Sequence, residues 1–120
     1  MILVDTSVWV EHLRFQIQAL ADLLAAGEIL VHPFVIGELA LGTIGQRVTV
    51  LHSLSKLPQP IVARDDEVLL LIERRGLFGR GIGYVDAHLL AAIELTPGAS
   101  LWTHDKRLRR VAKDLRIAQL

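Results

Sequence analysis

Met1-Ile2-Leu3-Val4 runs without a polar break into Asp5. An apolar run this short and continuous suits a strand buried on both faces, as in a parallel sheet covered by helices on each side. The acid behind it then sits at the strand's carboxyl end, where open α/β sheets bind ligands. One short segment thus asks for a layered fold and offers a charged group at its functional edge.

The rest of the chain alternates as such a sheet requires. Thr6 or Ser7 is placed to cap a helix running to about Arg14. A second helix spans about Ile17–Ala26 with Leu20, Leu23 and Leu24 on one face, and Glu28–Val31 reads as another brief strand. Pro33 opens a helix that continues from Phe34 to Leu41. Val48–Leu57 reads as a helix closed by Pro58 and Pro60. Asp65-Asp66-Glu67 begins a helix ending in Arg74-Arg75, the charge order that the helix dipole favours. After the loop holding Gly79, Gly81 and Gly83, a helix is expected over Tyr84–Leu95. Ser100–Thr103 resembles a strand, Lys106–Leu115 a final helix and Arg116–Ala118 a last edge strand. Strands alternating with helices argue for an α/β sandwich around a parallel sheet. At 120 residues, a single domain over 1–120 is expected.

Composition removes several classes. With no cysteine, disulfides and thiolate zinc sites are excluded. Thirteen Lys and Arg against 13 Asp and Glu argue against a strongly basic nucleic-acid binder. A 52% apolar content excludes intrinsic disorder and suggests that a partner covers part of the surface. No apolar run approaches the ~18 residues of a membrane span, and the N-terminus lacks the pattern of a signal peptide. A cytoplasmic protein is expected.

The informative residues are four acids in places that acids avoid. Asp5 ends a buried-type strand, and Asp105 follows the Leu101–Thr103 strand by two residues. Glu38 lies among Phe34, Val35, Ile36, Leu39, Ala40 and Leu41, a helix whose pattern predicts no solvent face for it. Asp86 shares a helical face with Leu89, Leu90 and Ile93. Taken singly, Asp5, Asp86 and Asp105 each have a simpler explanation as helix caps, and Glu38 as an exposed side chain. One pocket explains all four together, since acids are seldom buried unless paired or bound to metal.

Two carboxylates ~5 Å apart at an effective dielectric of ~20 repel by roughly 3 kcal/mol. Four make six pairs, so a fully ionised cluster costs on the order of 20 kcal/mol before screening. It must take up protons or a divalent cation, and oxygen ligands favour Mg²⁺ or Mn²⁺ over zinc. Such a cation can align a phosphodiester and lower the pKa of a bound water, which is hydrolytic chemistry.

Four segments also resemble a known family in order and spacing, over essentially the whole chain. They are Met1–Val10 with Asp5-Thr6-Ser7, the Pro33–Gly42 helix with Glu38, Gly83–Ala92 with Asp86, and Trp102-Thr103-His104-Asp105-Lys106-Arg107-Leu108. Together they resemble the PIN-domain ribonucleases, in particular the VapC-type toxins of bacterial type II toxin–antitoxin (VapBC) pairs. The resemblance implies a PIN-like three-layer sandwich with a central parallel sheet of four or five strands. It implies an Mg²⁺- or Mn²⁺-dependent endoribonuclease that cuts single-stranded or loop regions, for example of tRNA or rRNA, and so inhibits translation and growth. Asp5, Glu38, Asp86 and Asp105 match the family's acidic quartet, with Asp5 and Asp86 as the most direct metal holders. Glu38 and Asp105 would complete the shell or position the attacking water, while Thr6 and Thr103 resemble hydroxyls that orient the carboxylates. The resemblance also implies a VapB-type antitoxin whose tail crosses the groove, and a homodimer.

Other features stay open. From Thr103 onward the chain carries Lys106, Arg107, Arg109, Arg110, Lys113 and Arg116, which suit either RNA phosphates or a solvated helix face. Arg80 and Lys106 are the preferred RNA contacts, each being close in sequence to a proposed ligand. Gly79-Arg80-Gly81-Ile82-Gly83 does not match dinucleotide or Walker spacing and reads as a hinge. The five histidines show no paired ligand spacing. A haloacid-dehalogenase-like phosphatase would want a second acid two residues after Asp5, where Ser7 stands. A non-catalytic RNA- or protein-binding module on the same scaffold would normally have lost part of the acidic set.

Overall fold

The computed structural model describes residues 1–119. In chain order it contains β1 (Ile2–Val4), α1 (Thr6–Phe15), α2 (Gln18–Ala25), β2 (Ile29–Leu30), α3 (Pro33–Leu41) and α4 (Arg47–Ser55). There follow α5 (Asp65–Arg75), α6 (Tyr84–Leu95), β3 (Ser100–Trp102) and α7 (Lys106–Asp114). The strands form a parallel sheet in the order β2-β1-β3, with Leu3 beside Leu30 and Leu101. Ile2–Val4 is therefore the central strand, and Leu3 and Val4 are fully buried. This is what an unbroken apolar run predicts for a strand covered on both faces.

The sheet has three strands among the described residues, where four or five were expected. The segment expected as a last edge strand makes a single bridge, Leu101 to Ala118. Leu101 N donates to Ile117 O and Gln119 N to Leu101 O, each at 2.7 Å. Arg116 has a positive φ of 62°, which breaks the extended run just before the bridge and stops the pairing from growing. At the opposite edge Val31 N donates to Pro58 O at 2.9 Å, against a segment whose prolines cannot donate back.

The helices close the core around this sheet. In α6 every residue from Ala87 to Ile93 is buried, as expected of a helix that is apolar nearly all round. It packs on β3 and against α5, while α3 packs against α1 and α4. The α5 helix starts with Asp65, Asp66 and Glu67 and ends with Arg74 and Arg75, as its charge order predicts. One local expectation fails. Asp5 occupies the cap position of α1, and Thr6 and Ser7 lie inside the first turn, where their hydroxyls serve other acids.

Candidate active site

The parallel sheet brings the carboxyl ends of β1 and β3 side by side, and Asp5 N donates to Trp102 O at 2.9 Å. Asp5, at the end of β1, is 6% exposed and does not cap α1 with its side chain. Its Oδ2 accepts from Thr103 Oγ1 at 2.7 Å and from Ser7 Oγ at 2.8 Å. Both hydroxyls are tied to the turn that follows β3. Asp105 N donates to Thr103 Oγ1, and His104 N donates to Ser7 Oγ, each at 3.0 Å. A buried carboxylate is thus held by two hydroxyls fixed by backbone, which satisfies the rule that buried charge must be hydrogen-bonded.

The other three acids reach the same end of the sheet from separate elements. Asp105 caps α7, its Oδ1 accepting from Arg107 N and Leu108 N at 3.0 Å. The cap explanation therefore holds for Asp105, but it occupies only one carboxylate oxygen. Asp86 lies in the first turn of α6, where its Oδ2 accepts from Gly83 N at 3.0 Å. Glu38 accepts from Thr6 Oγ1 at 2.6 Å. The apolar pattern predicts no solvent face for Glu38, yet it is exposed together with Phe34 and Leu41. Positions 34, 38 and 41 share one side of α3 by helical spacing, and that side faces open space rather than the core.

The electrostatics join the four. The carboxyl of Asp86 is pushed above its ordinary range, first by burial and then by the negative charges of Asp5, Asp105 and Glu38, with the Gly83 amide opposing. Asp86 thus feels each of the other three acids, although they come from distant parts of the chain. Each acid spends one oxygen on an anchor. Asp5 Oδ1, Glu38 Oε2, Asp86 Oδ1 and Asp105 Oδ2 have no protein hydrogen-bond partner among the described residues.

Among the described residues, no three His, Asp or Glu side chains are gathered into a ready cage for a metal ion. Four anchored carboxylates, each with one oxygen that no protein group claims, are nevertheless the donor type that suits a hard divalent cation. Mg²⁺ typically keeps several waters and takes one or two carboxylates rather than a closed protein shell. A tight thiolate or imidazole set, which zinc would prefer, is not what stands here.

Of the two basic residues expected to meet RNA, Lys106 is exposed and follows Asp105 directly at the start of α7. Arg80 is half-buried, and its guanidinium pairs with Asp114 at the far end of that helix. Sequence reasoning gave Ser7 only a capping role, missing its contact with Asp5. A hydroxyl two residues beyond a strand-end acid was the available signal. It also missed Asp65, which accepts from Tyr84 Oη at 2.9 Å and contacts His88 Nε2 at 3.0 Å. That clamp fixes the start of α5 to the first turns of α6, the helix that carries Asp86.

The model of the PIN domain family matches residues 2–114. The chain is also 53% identical over 118 residues to Ribonuclease VapC32 of Mycobacterium tuberculosis, as recorded for two strains of that organism. Those alignments cover 98% of this chain and 95% of the relative. All four acids lie inside the matched span: Asp5, Asp86 and Asp105 at the starts of α1, α6 and α7, and Glu38 within α3. With this arrangement and near end-to-end similarity, the chain belongs to the PIN-domain family, among its VapC-type ribonucleases.

Proposed function

We propose that this protein is the toxin of a type II toxin–antitoxin pair, an endoribonuclease that hydrolyses RNA phosphodiester bonds with Mg²⁺ or Mn²⁺. The observation that carries the reading is the hydrogen bonding at the carboxyl ends of β1 and β3, where Thr103 joins Asp5 to the Asp105 backbone and Thr6, next to Asp5, holds Glu38. The charges of these three acids all act on Asp86. Asp5 and Asp86 would be the principal holders of the cation, with Glu38 and Asp105 completing the set. When bound, the cation would offset phosphodiester charge and make a water more acidic.

The protein's own groups supply the rest. Thr103 and Ser7 fix the direction of Asp5, and Thr6 fixes that of Glu38. Glu38 and Asp105 are the exposed members, and in this reading they would accept a proton from an incoming water. A groove of about 240 Å³ beside Glu38, lined by Thr6, Val10, Arg14, Gly42 and Ile44 among others, leaves room for a strand to approach.

The reading takes residues 1–120 as one PIN domain acting in the cytoplasm, where its RNA lies. No helix among the described residues is long and apolar enough to cross a membrane. It carries with it a VapB-type antitoxin and a homodimer. Exposed apolar side chains, Leu69, Leu70 and Phe78 among them, are available to such partners. Sedimentation of the purified protein tests the dimer, and a monomer at micromolar concentration would remove it.

The decisive experiment is cleavage of RNA by the purified protein with EDTA, and after Mn²⁺ or Mg²⁺ is returned. Cleavage should stop under chelation and recover with the metal. Turnover that persists without divalent cations would overturn the mechanism.

A further inference from the structure

We infer that one face of α7 is the track along which the RNA backbone is held next to the acidic site. The inference rests on the ribonuclease reading above. Lys106, Arg109, Arg110 and Lys113 are all exposed and follow the i, i+3, i+4, i+7 pattern of a single helical face. Together they line a shallow depression of about 340 Å³ that no other residue lines. The opposite face, with Leu108, Val111 and Ala112, is buried in the core, so the helix cannot turn the stripe away.

These four cations lack the acidic partners that four of the protein's other nine Lys and Arg side chains have. Arg64 is paired with Asp66 and Glu67, Arg74 and Arg75 with Glu94, and Arg80 with Asp114. Among the described residues, no carboxylate lies within ion-pair distance of Lys106, Arg109, Arg110 or Lys113. A stripe of like charge is costly to the free protein and is relieved by a polyanion.

The position favours RNA over an acidic protein. The stripe begins at the residue after Asp105, so a strand lying on it would deliver its next phosphodiester to the acids. Those acids repel phosphate, and the chain's formal net charge is zero. Attraction for a nucleic acid must therefore come from local asymmetry beside the site. At 1.5 Å per residue, Lys106 to Lys113 covers about 10 Å, enough for about two or three successive phosphates. Contacts of this kind supply affinity and register, and carry no base sequence.

The test is the salt dependence of binding to a fluorescein-labelled single-stranded RNA, read by anisotropy with divalent cations chelated so that the strand stays intact. Each lost phosphate contact should flatten the slope of log K against log salt by about 0.7, so Arg109→Gln/Lys113→Gln should flatten it by about 1.4. Glutamine keeps helix propensity, and circular dichroism checks that α7 still forms. The charge-preserving Arg109→Lys/Lys113→Arg protein should keep the original slope. An unchanged slope in the Gln variant overturns the proposal, as does a loss confined to binding of poly-glutamate. If the unmodified protein cleaves RNA while the slopes coincide, only the track fails. If it neither binds nor cleaves RNA, the ribonuclease reading fails with it.

Discussion

Thr103 donates its hydroxyl to Asp5 Oδ2 at 2.7 Å across 98 positions of sequence, joining the carboxyl ends of two neighbouring parallel strands. The same oxygen of Thr103 accepts from Asp105 N at 3.0 Å. One buried hydroxyl therefore sets the direction of one acid and the backbone of another. Thr103→Val keeps the shape and removes both bonds, leaving Asp5 under-satisfied in a buried place. It should cost about 1–3 kcal/mol of stability and lower cleavage, while Thr103→Ser should retain most of both. Urea unfolding and single-turnover cleavage check it, and a Val variant as stable and as active as the parent contradicts it.

Thr6 offers the surface counterpart. Its hydroxyl donates to Glu38 at 2.6 Å, but Glu38 is exposed and water can replace the bond. Thr6→Val should leave stability within about 0.5 kcal/mol. It should still reduce cleavage, because Glu38 loses its fixed direction. A fall in stability as large as that of Thr103→Val would mean that burial is not what separates the two hydroxyls.

At Asp86 the charge itself is unfavourable, since burial and three negative neighbours all oppose it. In EDTA, Asp86→Asn should therefore raise the melting temperature, because Asn can still accept from Gly83 N while one repelling charge is gone. Added Mn²⁺ should raise the melting temperature of the parent and do less for the variant, which should not cleave RNA. Undiminished cleavage by the Asn protein would remove Asp86 from the site.

The legible part of this structure was whatever depends on local pattern. The buried central strand showed in Met1–Val4, and the α6 bounds, Tyr84–Leu95, followed from the Gly83 and Pro97 stops. The four acids stood out because Asp5 and Asp105 follow apolar strands while Glu38 and Asp86 sit in apolar helices. What stayed hidden depends on chain geometry at a distance. No pattern announced that Arg116 would take a positive φ and reduce the last strand to one bridge. Nor could helix periodicity alone tell that the 34, 38 and 41 side of α3 faces open space, since an apolar residue does not declare which side is covered.

Gly81 has φ of +81°, and a Cβ there would lie 2.7 Å from Arg107 Cδ. An L side chain is strained in that region of backbone space, and Arg107 would also have to move. Gly81→Ala should destabilise by about 1 kcal/mol or more. The loop leads into Gly83, whose amide holds Asp86, so cleavage should fall as well. An Ala variant of parental stability would show that the loop has room to rearrange.

His32 is fully buried, and its pKa is lowered from 6.5 to about 4 by desolvation and by the neighbouring His88. Its Nδ1 accepts from Phe34 N at 2.9 Å, which caps α3 and assigns the ring proton to Nε2. Protonating Nδ1 would break that cap and bury a charge. As pH falls below 6.5, the unfolded chain takes up a proton that the folded one refuses, so stability declines until about pH 4 and levels off below it. A shift of this size corresponds to about 3 kcal/mol at the acid end of the window. Asparagine is a good helix cap that does not titrate. His32→Asn should therefore lose some packing at pH 7 and flatten the decline between pH 6.5 and 4. Urea midpoints across that window test it, and a parallel decline in both proteins would place the acid sensitivity elsewhere.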